Sequence, residues 1–287
     1  LTTAYPELKV SGGKGSKIKL TYSEALFDER GKGNRNEIDG RECRGFADEF
    51  LPDGADGRLF RPLWFKTYRY IQLDIETGAA PLVVEDLYGI YTGYPFDVRG
   101  SFESDDPALE KIWETGWRTA RLCAHETYFD CPYYEQLQYA GDTRIQALIS
   151  LYVSGDDRLV RKAIRMYDLS RSYEGITCSR YPSHIPQYIP PFSLYWIGMI
   201  HDYWMHRSDD AFVRSFLPGI RTVLSWFTEK IDPHTGLLKN GLPHWNFTDW
   251  ATSWERGIAP ESDSSGSAIT TLQLAAALDD AADLMRR

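Results

Sequence analysis

Near residue 100 the chain changes its period, and that change most limits the folds open to it. Before it, apolar residues recur every second position. Lys17 to Tyr22 alternates polar and apolar, as do Ile71, Leu73 and Ile75 with Gln72, Asp74 and Glu76. That alternation is the mark of half-buried strands. Residues 81–84 and 87–91 read as two further short strands. Gly12 and Gly13, Gly31 to Gly33, and Asp53 and Gly54 punctuate the stretch. Residues 1–100 are therefore expected to form an antiparallel β-sandwich region.

After the change the spacing becomes helical. Asp106 and Pro107 make a helix start, and Leu109, Ile112, Trp113, Gly116, Trp117 and Ala120 follow at i, i+3, i+4, i+7. Further helices are expected over 142–153, 156–173, 192–205 and 210–231, and from about Ser264 onward. Two connections, at 154–155 and 207–209, are short. The others (127–141, 175–191 and 233–263) are long, aromatic and rich in Pro. Short turns on one side and decorated loops on the other predict stacked helical hairpins with one functional face. A toroid of six such hairpins needs about twelve helices. Residues 101–287 supply about half, so the sequence reads as an incomplete α/α toroid. Neither Leu1 nor the helical pattern running into Arg287 looks like a natural boundary. A half toroid would leave apolar helix faces to be covered by the remainder of the same polypeptide or by self-association.

Composition mainly excludes. A net charge of −9 argues against a nucleic-acid partner, whose phosphates need clustered Lys and Arg. No apolar run approaches the roughly 18 residues of a membrane span. The four cysteines (Cys43, Cys123, Cys131, Cys178) match no zinc or C-x-x-C spacing and read as small buried thiols. His184, His201, His206, His234 and His244 form no H-x-x-x-H pair, so no metal site is expected. Gly12 to Ser16 lacks phosphate-loop spacing and leads into a strand, so it is a turn. The 9 Trp, 18 Tyr and 13 Phe suit either a core or the stacking platforms of a carbohydrate site.

The densest chemistry lies between Asp130 and Asp142. Asp130, Glu135 and Asp142 stand among Tyr133, Tyr134 and Tyr139, with no Lys or Arg among them. Glycoside cleavage needs a protonated carboxyl to give its proton to the leaving oxygen. Neighbouring carboxylates and apolar walls favour such a protonated form. The same residues have plain structural readings. Asp142 stands where a helix N-cap is expected, and Asp130 before Cys131 and Pro132 could organise a turn.

The run Asp130-Cys131-Pro132, then Glu135, an aromatic, and Gly141-Asp142 resembles the signature of glycoside hydrolase family 78, the bacterial α-L-rhamnosidases. The stretch from Leu63 to Tyr70, and Gly93 to Phe96, are similar to the segments that precede that family's catalytic domain. The resemblance implies a β-sandwich followed by an α/α toroid, and inverting hydrolysis of terminal α-L-rhamnosides without metal or organic cofactor. The implied partner is a rhamnose-containing glycoside or polysaccharide; the resemblance implies a periplasmic or extracellular location, and a cytoplasmic one stays open.

By motif position Glu135 would be the general acid, with Asp130 and Asp142 on sugar hydroxyls. Tyr139 stands where the family usually has Trp, and Tyr134 where many members have Arg. Trp245, Asp249 and Trp250 resemble a pocket-lining Asp-Trp loop, or else form an aromatic plug between helices. Trp196 is a weaker pocket candidate, because Phe192, Leu194 and Met199 around it also read as helix core. The base of an inverting enzyme would lie beyond Arg287. Glu255 and Glu261 carry no supporting motif. Two other readings stay open: a toroid glycosidase of different sugar specificity, and a non-catalytic sugar-binding protein.

Overall fold

The computed structural model describes residues 1–262 and 266–286. By their internal contacts these fall into two units. One comprises Leu1–Tyr94 with Cys131–Glu135, the other Pro95–Asp130 with Gln136–Arg287.

The first unit is built of antiparallel strands: β1 (Thr2–Gly12), β2 (Lys17–Ser23), β3 (Phe27–Asp28), β4 (Gly31–Lys32), β5 (Ala47–Phe50), β6 (Arg58–Phe60), β7 (Lys66–Tyr68), β8 (Tyr70–Glu76) and β9 (Leu82–Tyr91). In one sheet β1 pairs with β9 along one edge and with β6 and β7 along the other. In a second, β2 lies between β5 and β8. Leu8 and Val10 of β1 meet Ile18, Leu20 and Tyr22 of β2 in a core closed by Phe50, Phe60, Ile71, Leu73, Leu82 and Leu87. The i, i+2 spacing puts each set on one face of its strand. Each fully buried side chain of this size contributes roughly 1.5–3 kcal/mol.

Two expectations change here. The strands expected over 81–84 and 87–91 are one continuous strand, β9, with the register of its ladder shifting at Lys9 and Val10. β1 was not anticipated, because Pro6 lies in its middle and a proline cannot donate to a ladder. Pro6 is accommodated because β7 pairs only Thr2 to Ala4 and β6 only Leu8 to Val10. It falls in the gap between them.

The second unit is helical: α1 (Pro107–Leu122), α2 (Ala140–Val153), α3 (Arg158–Leu169), α4 (Pro190–His206), α5 (Asp210–Arg214), α6 (Leu217–Thr228) and α7 (Ala268–Met285). Asp106 caps α1, accepting from the Ala108 N–H at 2.9 Å. α4 opens on Pro190 and Pro191 and is buried almost all round, as befits a helix packed against α2, α3, α6 and α7. The single helix expected over 210–231 is two, because Pro218 can sit in a first turn but not in a helix interior. The last helix begins at Ala268, and Ser264, where it was expected to start, lies outside the described residues. All four cysteines are free.

Candidate active site

In the second unit the chain reaches Asp130 along a well-held path. The phenol of Tyr128 donates to Ser150 Oγ at 2.9 Å, and Gln146 Nε2 donates to the Phe129 carbonyl at 2.6 Å, so α2 supports it from below. Asp130 then pairs with Leu137. Its N–H donates to the Leu137 carbonyl at 2.8 Å, and its Oδ1 accepts from the Leu137 N–H at 3.0 Å. The turn-organising reading of Asp130 is therefore correct for one carboxylate oxygen.

Beyond Leu137 a buried amide fixes the next residues. Gln138 is 2% exposed. Its Nε2 donates to the Tyr181 carbonyl at 2.8 Å, and its own carbonyl accepts from the Tyr167 phenol at 2.8 Å. Burial, with the Asp142 charge adding to it, pushes the Tyr167 hydroxyl well above its ordinary pKa, so it stays a donor. Tyr139 and Arg180 face each other in an antiparallel bridge, with Ala140 N–H to Ser179 O at 2.9 Å and Tyr181 N–H to Gln138 O at 3.1 Å.

α2 starts directly after Tyr139, which makes no side-chain cap. The capping reading of Asp142 is thus overturned. Asp142 lies inside the first turn, half-buried, where the helix N-terminus favours a negative charge.

From Tyr139 a run of aromatic rings crosses the unit. Tyr139 meets Phe192 edge-on (6.3 Å between centroids), Phe192 meets Phe247 (6.0 Å), and Phe247 meets both Trp245 (5.0 Å) and Trp250 (5.2 Å). Trp245 is tied down by its indole N–H, which donates to the Arg256 carbonyl at 3.0 Å. Trp250 is 72% exposed, and Asp249 beside it is exposed as well. His244 is held to Glu174, Nε2 to Oε2 at 3.0 Å; that bond, with one from Trp226, keeps the Glu174 carboxyl below its usual range.

Trp196 does not join this run. It is fully buried, its indole N–H donates to the Ile164 carbonyl at 3.0 Å, and its ring packs edge-on against Phe216. The expectation of a pocket wall at Trp196 is corrected to a core side chain. Arg180, which the sequence did not single out, Phe192, which it placed in a helix core, and Phe247, within the aromatic loop, take the place next to Tyr139 and Trp245.

Glu135 and Tyr134 belong to the first unit. Both are exposed. The Glu135 N–H donates to Cys131 Sγ at 3.3 Å, and Lys32 Nζ sits 4.7 Å above the Tyr134 ring. Gln136 follows at φ +53°, and among the described residues His244 and Arg256, which flank Trp245, are the other non-glycine residues in this left-handed region. Such conformations persist where the surroundings over-determine them, commonly at functional sites. Among the described residues no group of three or more His, Cys, Asp or Glu is placed to hold a metal ion, and no helix is long and apolar enough to cross a membrane.

Residues 97–286 match the model of the bacterial alpha-L-rhamnosidase six-hairpin glycosidase domain. No curated protein matches the chain. Among solved structures, the chain is similar over 99% of its length to a family 78 rhamnosidase of Bacillus sp. GL1, with 25% identity and a TM-score of 0.80. It is also similar in fold to a rhamnosidase from Klebsiella oxytoca solved with rhamnose bound, with 18% identity, a TM-score of 0.79 and all of this chain covered. An α-L-rhamnosidase of Streptomyces avermitilis complexed with L-rhamnose gives 16% identity and a TM-score of 0.71 over 99% of this chain. The chain spans 28%, 56% and 26% of those three structures. With two thirds of its residues inside the matched domain, the chain belongs to the bacterial α-L-rhamnosidase six-hairpin glycosidase family.

Proposed function

We propose that the polypeptide carrying this chain hydrolyses terminal α-L-rhamnosides with inversion, and that these residues supply the general acid, Glu135, and part of the sugar pocket. The observation that carries the reading is the Asp130-Cys131-Pro132, Glu135, Gly141-Asp142 pattern within a chain of the rhamnosidase family. Glu135 is exposed on a loop, which leaves its carboxyl open to the leaving oxygen of a bound glycoside. Asp130 and Asp142 take the sugar hydroxyls. Tyr139, Trp245, Asp249 and Trp250 line the sugar pocket in the second unit, and the 72% exposure of Trp250 at the end of the aromatic run favours this over a plug of unrelated rings; Tyr134 of the first unit is a further substrate-binding candidate. Trp196 has no part in it.

The architecture that accompanies this reading is a β-sandwich followed by part of an α/α toroid of helical hairpins. Leu109 and Ile112 of α1, and Leu272 of α7, are exposed, which fits helix faces meant to be covered by the rest of the polypeptide. The base belongs to that rest. Inversion places it roughly 6.5–9.5 Å from the acid, on the opposite side of the sugar. Residues 1–287 alone are therefore expected to turn over little or no rhamnoside.

The test is hydrolysis of p-nitrophenyl α-L-rhamnoside by the full-length polypeptide, with Glu135→Gln beside it. Release of nitrophenol that the variant loses by about 10²–10⁴-fold supports the reading. Cleavage of other aryl glycosides in place of the rhamnoside would discard the sugar. Tight rhamnose binding without any cleavage would discard the reaction.

A further inference from the structure

The acid-bearing segment Cys131–Glu135 is anchored to the sheets at more points than a surface loop needs. Tyr133 is 6% exposed. Its hydroxyl donates to the Tyr22 carbonyl at the end of β2 (2.8 Å) and accepts from the Phe46 N–H just before β5 (2.9 Å). Its ring stacks on Phe46 at 5.1 Å and 27°. A Cβ on Gly45 would collide with both the Tyr22 carbonyl and the Tyr133 hydroxyl, so Gly45 is what lets the three come together. A separate bond comes from β7, where Thr67 Oγ1 donates to the Pro132 carbonyl at 2.5 Å. Burial pushes the Tyr133 phenol up from its ordinary pKa, so its donated bond persists across the working pH range.

We propose that Tyr133 is a positioning residue for Glu135, and that the sheet unit, through Tyr22, Phe46 and Thr67, sets where the acid is presented. This rests on the reading of Glu135 as the general acid. A loop residue carries two soft backbone dihedrals, and a proton donor must come within about 2.6–3.2 Å of the leaving oxygen. Pinning the two residues before Tyr134 and Glu135 to β2, to β7 and to the residue before β5 removes most of that freedom. An acid displaced by even 1 Å loses about 10²-fold in rate. The sheets thereby fix the position of the acid-bearing segment within the first unit.

Leaving-group dependence separates positioning from general damage. A dinitrophenolate departs without a proton, whereas a methoxide does not. In the full-length polypeptide, kcat and KM are measured on methyl and 2,4-dinitrophenyl α-L-rhamnosides for Tyr133→Phe, Thr67→Val and Glu135→Gln. Tyr133→Phe and Thr67→Val are expected to lower kcat on the methyl glycoside by about ten- to a hundredfold, with less than about threefold on the dinitrophenyl glycoside and KM little changed. Equal losses on both substrates, or none on either, overturn the proposal. Should Tyr133→Phe fail to fold, Thr67→Val carries the same test. If Glu135→Gln itself shows no leaving-group dependence, the acid assignment fails and this inference falls with it. If Glu135→Gln shows it and the Tyr133 and Thr67 variants do not, this inference alone fails.

Discussion

Arg180 and Tyr139 hold each other through backbone and side chain alike. They form an antiparallel bridge, Arg180 Nη1 donates to the Tyr139 phenol oxygen at 2.9 Å, and the guanidinium lies 5.6 Å from the ring centroid. A tryptophan at this position would have no oxygen for that bond. If Tyr139 is a sugar platform, Arg180 fixes its tilt. One charge-assisted bond in a half-exposed setting is worth about 1 kcal/mol. In the full-length polypeptide, Arg180→Met should therefore raise KM for p-nitrophenyl α-L-rhamnoside by about fivefold, with kcat nearly constant. Tyr139→Phe removes the same bond, so the double variant should be little worse than either single one. Fully additive effects would show that Arg180 acts on something other than Tyr139.

Trp196 separates a core aromatic from a platform. Trp196→Phe keeps most of the apolar volume but drops the bond to the Ile164 carbonyl and leaves a void beside Phe216. A loss of about 1–3 kcal/mol in chemical denaturation is expected, with KM of the full-length polypeptide for the rhamnoside within about twofold of the parent. A raised KM at unchanged stability would return Trp196 to the pocket.

Gly257 guards the far end of the aromatic run. It sits at φ +70°, and a Cβ there would strike the Phe247 ring and come within 2.9 Å of the Asp249 carbonyl. Gly257→Ala should cost about 1–3 kcal/mol from backbone strain. It should also push Phe247 out of line between Phe192 and Trp245. Rhamnose binding, followed by tryptophan fluorescence, should weaken by about tenfold or more. Unchanged binding would mean that the Phe247 ring does not shape the pocket.

What the sequence discloses here follows from how locally each feature is determined. β2 and β8 are legible because Ile18, Leu20 and Tyr22 of the one, and Ile71 and Leu73 of the other, pack into a shared core at every second position. α1 is legible from Asp106 and Pro107. β1 is hidden by Pro6, whose tolerance depends on where two other strands stop. The break between α5 and α6 has a local signal, Pro218, that the strong apolar spacing around it masks. α4 is buried on nearly every side, which erases the periodicity that would have told an inward Trp196 from a pocket-facing one. In the candidate site, Asp130, Glu135 and Asp142 stand out because they are close in sequence. Arg180 and Phe192 meet Tyr139 only through the fold, and no pattern of spacing places either beside it; Phe247 lies within the aromatic loop of Trp245 and Trp250, but its contact with Phe192 again depends on the fold.

His125 gives a pH dependence with a definite sign. It is 8% exposed, stacks on Phe129 at 5.1 Å, and its Nε2 lies 3.2 Å from the Leu122 carbonyl. Burial pulls its pKa below the ordinary 6.5, and the Leu122 carbonyl only partly opposes this. Between the folded and unfolded values the unfolded chain binds a proton that the folded chain does not, so stability rises with pH there. The contribution of neutral His125 is fully present above about pH 6.5 and is lost as pH falls through the folded value. Urea denaturation from about pH 7.5 to pH 5, where histidine is the side chain that ordinarily titrates, should therefore show the parent losing stability faster than His125→Gln. Parallel curves would mean that the imidazole binds its proton equally well in the folded chain, and that its burial beside Phe129 imposes no penalty.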